Sequence, residues 1–144
     1  MAQATYPEQI RALKPTDIDS TIGSGFQWPP AITSEGTLAI SSGKDHVEDC
    51  VLRLVHYNKG YLVGAYSFGG NVLQRVFGVL ATNTVGLTKD DIETAIANWE
   101  DRVDTVRVTV AKSMDSQVAM EIIIQYQLSL TGSDESMTFP IPKG

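Results

Sequence analysis

Between residues 88 and 131 the spacing of hydrophobic positions changes period once, which predicts a helix running into a pair of strands. Ile92, Ala95, Ile96 and Trp99 recur at helical spacing and form one apolar stripe. Thr88 stands at the expected N-cap, and Asp90 and Asp91 follow in the first turn, where the helix dipole favours negative charge. After Arg102 the period becomes two: Val106, Val108 and Val110 alternate with Thr105, Arg107 and Thr109. Ser113-Met114-Asp115-Ser116 supplies a turn. Val118, Met120, Ile122, Ile124, Tyr126, Leu128 and Leu130 then alternate with mostly polar partners until Thr131-Gly132-Ser133-Asp134. This second strand is roughly twice the usual length of about 5–6 residues. Its partner loses alternation near Ala111, so the longer strand is expected to overhang. An overhang leaves backbone N–H and C=O groups unpaired and invites another strand. The chain's own Met137-Thr138-Phe139 is the other candidate for that place, and the pattern leaves both open.

Upstream, Val47, Cys50, Val51, Leu54 and Val55 make one apolar stripe on a helix starting near Lys44-Asp45. Asn58-Lys59-Gly60 is a natural stop, with Gly60 suited to the left-handed cap position. Tyr61 to Phe68 reads as a connection closed by Gly69-Gly70. A second helix carries Val72, Leu73, Val76, Phe77 and Leu80 on one face, and Asn83 to Leu87 reads as a loop. Near the N-terminus, residues 1–16 read as an arm ahead of a domain spanning 17–144. Asp17 to Gly25 is expected to be loop. Phe26 and Trp28 are expected to anchor their segment on the core, because aromatic burial dominates small cores. Thr37 to Ile40 fits a short strand. Helices followed by strands, without strict alternation, predict an α+β fold. Its expected form is a single small domain of three short helices on a mostly antiparallel sheet with a long C-terminal hairpin.

Composition narrows the function classes. A chain of 144 residues is long enough to bury a real core. A net charge of -6 argues against binding a phosphate backbone, which relies on clustered Lys and Arg, and favours protein partners. No apolar run approaches the roughly 20 residues a membrane helix needs. The N-terminus lacks the basic-then-apolar layout of a signal peptide. Cys50 is the single cysteine, so no internal disulfide can form, and its place on an apolar helix face reads as core.

The search for chemistry yields no catalytic, cofactor or metal residues. His46 and His56 are not spaced as an i, i+4 metal pair, and no cysteine cluster supports them. Gly43-Lys44 lacks the rest of a phosphate-binding loop. Gly23-Ser24-Gly25 neither follows a predicted strand nor opens a helix, as a dinucleotide fingerprint would. Ser67 has no nucleophile-elbow context. Glu100 alone among the acids sits beside a large aromatic, Trp99. Arg102 would favour its ionised form, the opposite of what a general acid needs.

Trp99-Glu100-Asp101-Arg102-Val103 at a helix-to-strand junction resembles the contractile-tail baseplate wedge family, the gene-twenty-five-like (GPW) family. That family carries Trp-Glu-Pro-Arg and a hydrophobic residue there, then a valine-rich strand and a long strand with an aromatic, here Ile124-Gln125-Tyr126. Gly36, the Val47 to Val55 helix, Lys59-Gly60, Phe68-Gly69 and Phe139-Pro140 follow the family's order. The resemblance covers roughly residues 17 to 141. Asp101 stands where the family commonly has proline, and Gly60-Tyr61-Leu62 stands in place of its Gly-Glu-Arg.

The resemblance implies a structural protein of a virion tail baseplate, made in the host cytoplasm, in a phage tail or related injection particle. Trp99, Glu100 and Arg102 would contact neighbouring wedge proteins. The strand Ile122, Ile123, Ile124, Gln125, Tyr126, Gln127 and Leu128 would present a sheet edge to the tail sheath protein and so initiate the sheath. Partners would also include hub and tube proteins, at six copies per baseplate, with no nucleic acid or membrane. The alternative is a tail-associated, lysozyme-like muralytic enzyme. A third reading is a free regulatory protein using the same fold, since fold alone does not set function.

Overall fold

A computed structural model describes residues 21–76, 82–112 and 118–142. The architecture is α+β, with helices, a two-stranded and a three-stranded sheet, and every strand pairing antiparallel. The chain falls into two compact units, residues 1–47 and 48–144. The expected arm lies outside the described residues.

In the first unit, β1 (Ser24–Phe26) pairs with β2 (Ile40–Ser42). Ile32 and Leu38 form an isolated bridge within the connection. The short strand therefore lies two to three residues later than Thr37 to Ile40, and part of the expected Asp17 to Gly25 loop is strand. Gly25 lets the His46 ring approach closely: a Cβ there would lie 2.5 Å from its Cε1, so the imidazole would have to shift. The Phe26 anchor is corrected, because its ring is 53% exposed and only Trp28 is half-buried. Phe26 lies in a two-stranded ribbon, which leaves one face open to water.

Helix α1 (Gly43–His56) runs through the boundary between the units. Its stripe of Val47, Val51, Leu54 and Val55 is buried as the periodicity requires, whereas Cys50 is only half-buried. The helix stops at His56, so Gly60, with φ of 90°, serves the turn beyond rather than the cap. Helix α2 (Val72–Val76) is short. Phe77 and Leu80, expected on it, lie outside the described residues. Helix α3 (Thr82–Trp99) starts earlier than expected, and Asn83 to Leu87 is helix rather than loop. Thr88 is not its N-cap. It is fully buried inside the helix, and its hydroxyl donates to the Thr84 carbonyl at 2.7 Å. That i−4 bond satisfies a side chain that otherwise favours a helix start. Among the described residues no helix is long and apolar enough to cross a membrane.

The second sheet is a meander of β3 (Val103–Lys112), β4 (Val118–Leu128) and β5 (Asp134–Pro142), in that spatial order. Val103 and Val108 are five residues apart, an odd spacing that puts them on opposite faces of a regular strand. Both are buried, because a bulge between Asp104 and Arg107 inserts a residue and resets the alternation. Met120, Ile122, Ile124, Tyr126 and Leu128 of β4, with Met137, Phe139 and Ile141 of β5, complete the buried face. Leu130 falls beyond the strand and is exposed. Helix α3 packs chiefly on β3, burying Ile92, Ala95 and Ile96.

Candidate functional site

The junction between α3 and β3 is built by three backbone bonds. The Glu100 amide donates to Ile96 at 2.9 Å and so completes the helix. Val103 donates to the Glu100 carbonyl at 3.3 Å, closing a tight turn, and Ser129 donates to the Arg102 carbonyl at 2.9 Å, starting the ladder. Asp101 occupies the exposed tip. The turn returns the Arg102 side chain onto Glu100. Nε reaches Oε1 at 2.5 Å and Nη2 reaches Oε2 at 2.6 Å, a two-point pair that uses both carboxylate oxygens. Nη2 also donates to Sγ of Cys50 on α1 at 3.4 Å. One guanidinium therefore ties together α1, the end of α3 and the start of β3.

The pair is largely shielded, with the Glu100 side chain 4% exposed and that of Arg102 28%. The hydrogen bonds that Arg102 donates to Glu100 push its pKa above the ordinary value, burial opposes that rise, and Cys50 adds to it. Arg102 thus stays charged at any working pH. Glu100 is held by the guanidinium and is not presented to a substrate.

Trp99 was expected in the core stripe, but its ring is 42% exposed. It meets Phe68 edge-on at 5.3 Å, and Phe68 meets Tyr57 edge-on at 5.7 Å. Phe68 is placed by a glycine. Gly69 has φ of 111°, and a Cβ there would lie 2.2 Å from the Tyr57 carbonyl oxygen. Gly69→Ala should cost roughly 1–3 kcal/mol from backbone strain alone. A urea melt and near-ultraviolet circular dichroism of the Tyr57–Phe68–Trp99 stack would measure it, and an unchanged midpoint would reject it. The same loop exposes Tyr61, Val63 and Tyr66. The aromatic stack and the cysteine contact were not read from sequence, although Phe68-Gly69-Gly70 was the available signal.

The long strand requires a correction. Ile122, Ile123, Ile124, Gln125, Tyr126, Gln127 and Leu128 do not form a sheet edge. β4 pairs with β3 from Leu128 to Met120 and with β5 from Gln127 to Val118, so its backbone is flanked on both sides. The chain's own tail fills the place. Within this strand, the side chains of Ile122, Ile124, Tyr126 and Leu128 are buried as well. The outer strands are β3 and β5.

A family model described as baseplate wedge protein gp25 matches residues 41–133, more than half of the chain. The chain belongs to that family. The match spans the junction, its clamp and all of β3 and β4. Two solved structures share the fold of this baseplate wedge protein. One, from Geobacter sulfurreducens and titled a tail lysozyme, is 24% identical with a TM-score of 0.64, covering 72% of this chain and 94% of the other. The second is the baseplate of the anti-feeding prophage, at 15% identity and a TM-score of 0.60, covering 86% and 88%. No curated protein sequence matches the chain. Family membership makes this wedge protein a structural, tail-associated component of a contractile baseplate, set among other baseplate proteins.

Proposed function

We propose that this wedge protein is a sheath initiator: it joins neighbouring wedge and hub or tube proteins through its helix-to-strand junction and offers a sheet edge to the first ring of tail sheath. The observation that carries the reading is the outer edge of β5, which has no partner strand among the described residues, in a meander whose central strand is already paired. Trp99 and the turn tip at Asp101 supply the exposed wedge-facing surface. Glu100 and Arg102 act behind them as positioning residues. The anti-feeding prophage baseplate was solved with 6-fold symmetry, which supports six copies per baseplate.

Mass spectrometry of purified particles tests the reading. The expected result is a fixed copy number matching a single ring of sheath subunits, together with loss of sheath in particles lacking the chain. Full-length sheath on such particles would overturn it. The muralytic alternative draws support from the name of the Geobacter protein. It requires a free carboxylic acid, whereas both oxygens of Glu100 are taken by Arg102. Clearing of cell walls by the purified protein, abolished by Glu100→Gln, would restore that alternative.

A further inference from the structure

The segment between α1 and α2 is tied into a fixed shape by its own hydrogen bonds. The Lys59 amide donates to Oδ1 of Asn71 at 2.9 Å, and the Gly70 amide donates to the Tyr57 carbonyl at 3.0 Å, so the two ends are held together. Within the loop the Gly60 amide donates to the Tyr66 carbonyl at 2.8 Å. The amides of Tyr61, Ala65 and Phe68 donate to the carbonyls of Asn58, Leu62 and Ala65, which sets the path between. Asn71 holds a left-handed φ of 54°, uncommon outside glycine, and its side chain is the acceptor that ties Lys59. Phe68 anchors the loop through its edge-on contacts with Tyr57 and Trp99. Loops of this size with joined ends and an internal anchor are compact surface units.

A loop fixed in this way does not turn its apolar side chains inward. Tyr61, Val63 and Tyr66 all face water, and among the described residues Val63 is the most exposed large apolar side chain, at 89%. Single exposed apolar residues need no explanation, but three within six positions of one tied loop make a patch that marks an interaction surface. Through Phe68 the loop is continuous with Trp99, the exposed aromatic of the helix-to-strand junction. At the base of the loop Lys59 and Arg75 both turn to Asp91, at 3.9 and 2.6 Å. Two cations on one carboxylate leave a positive charge in excess there, in a chain whose net charge is -6. Aromatic anchors beside a charged rim are the anatomy of a protein-binding surface.

We infer that loop 58–70 is a second docking element, separate from the Glu100–Arg102 clamp. It seats Tyr61, Val63 and Tyr66 in an apolar pocket of a neighbouring wedge protein whose rim carries carboxylates facing Lys59 and Arg75. The wedge neighbour is the occupant because the patch runs into Trp99, and the excess positive charge selects the acidic rim. The tie from Asn71 sets the loop's shape in the free protein, so little ordering remains to oppose binding. The inference rests on the wedge-binding reading of the junction and adds to it the chemistry of the partner's surface.

Wedge complex purified from particles lacking the chain is the probe, titrated with the full chain and its variants. Tyr61→Ser and Tyr66→Ser should each weaken binding about tenfold or more, as the loss of an aromatic anchor does. The triple variant that adds Val63→Ser should abolish binding with an unchanged circular dichroism spectrum, since all three side chains are exposed. Asn71→Gly keeps the left-handed backbone and removes the tie, and should weaken binding although no anchoring side chain is altered. Asn71→Asp, which keeps the acceptor, should not. Lys59→Ala should flatten the salt dependence of binding. A photocrosslinker at position 63 should reach an apolar, acid-flanked segment of a wedge protein. Undiminished binding by the triple variant would overturn the inference while leaving the wedge reading intact. A crosslink from position 63 to sheath or to a second copy of the chain, or loop-dependent flotation of the chain with phosphatidylglycerol vesicles, would equally overturn it. No binding of the native chain to the wedge complex would remove the wedge reading, and the loop's assignment with it.

Discussion

Replacing Arg102 with alanine should lower the stability of the protein by about 3–5 kcal/mol, the range for removing one partner of a buried ion pair. The reason lies with the residue left behind. Glu100 is 4% exposed, and in the native fold both of its oxygens are bonded by the guanidinium. Without Arg102 its charge stays shielded from water with little to compensate it, while Cys50 loses its donor and the turn loses its brace. Because Arg102 is 28% exposed, some water can enter, so the lower half of the range is expected. A melting-temperature fall of roughly 10 °C would correspond. Changing both partners to apolar residues of similar volume, Glu100→Leu with Arg102→Met, should recover much of the loss, since no unpaired charge remains. Denaturant melts of the native protein and the two variants measure this. An Arg102→Ala midpoint within 0.5 kcal/mol of native, a generous margin on the order of a surface change, would show that the pair does not hold the junction.

That expectation changes how the junction is read. A Trp-Glu-x-Arg run at a surface turn invites the idea that the charges bind a partner directly. Here the charges face each other, and the exposed groups are Trp99 and the turn tip at Asp101. A charge reversal at both positions would therefore act on wedge binding through the turn's geometry. Asp101→Pro, which restores the family's residue at the tip, should leave the clamp intact. Calorimetry of that variant should show no loss of stability beyond about 1 kcal/mol, because Asp101 is an exposed turn residue and proline's fixed φ reduces the freedom of the unfolded chain. A larger loss would show that the turn's backbone does not suit proline.

The parts of the fold legible in sequence were those with one dominant period. The Val47 to Val55 stripe and the β4 alternation each bury a single face, so side-chain burial alone sets their geometry. Two kinds of feature escaped. Thr88 and the residues before it look like a helix start, yet the hydroxyl bond to Thr84 and burial of the following stripe carry the helix back to Thr82. Local preference is weak where tertiary packing opposes it. The β3 bulge, invisible in the pattern of valines, realigns Val103 with Val108 and lets β3 follow β4 for its full length. The overhang inferred from Ala111 therefore does not arise, and the place beyond β4 belongs to β5. At the junction, the Glu100–Arg102 pairing was readable because two residues of opposite charge flank one turn. The reach of Arg102 to Cys50, 52 positions away, depends on helix packing and leaves no local trace.

The position of β4 also changes what proline should do in it. Ile123→Pro is expected to unfold the protein rather than block sheath addition selectively. The Ile123 amide faces Thr109 across the β3–β4 ladder, a direction set by the opposite orientation of Val108 toward Glu93. Proline there removes that donor, orphans the Thr109 carbonyl at about 1–3 kcal/mol, and pushes its ring toward β3. The flanking residues Ile122 and Ile124 are fully buried, so any displacement of the strand is transmitted to the core. A total loss of more than about 3 kcal/mol, a large part of the 5–15 kcal/mol typical of a domain, should leave little folded protein at 37 °C. Thr138→Pro is the matched control, because its amide points away from β4 and its side chain is exposed. Far-ultraviolet circular dichroism and thermal melts of the two variants decide the matter. Collapse of the first with survival of the second is the expected outcome. Equal stability of both would mean that β4 can give up its pairing to β3, and would return it to candidacy as the strand that meets the sheath.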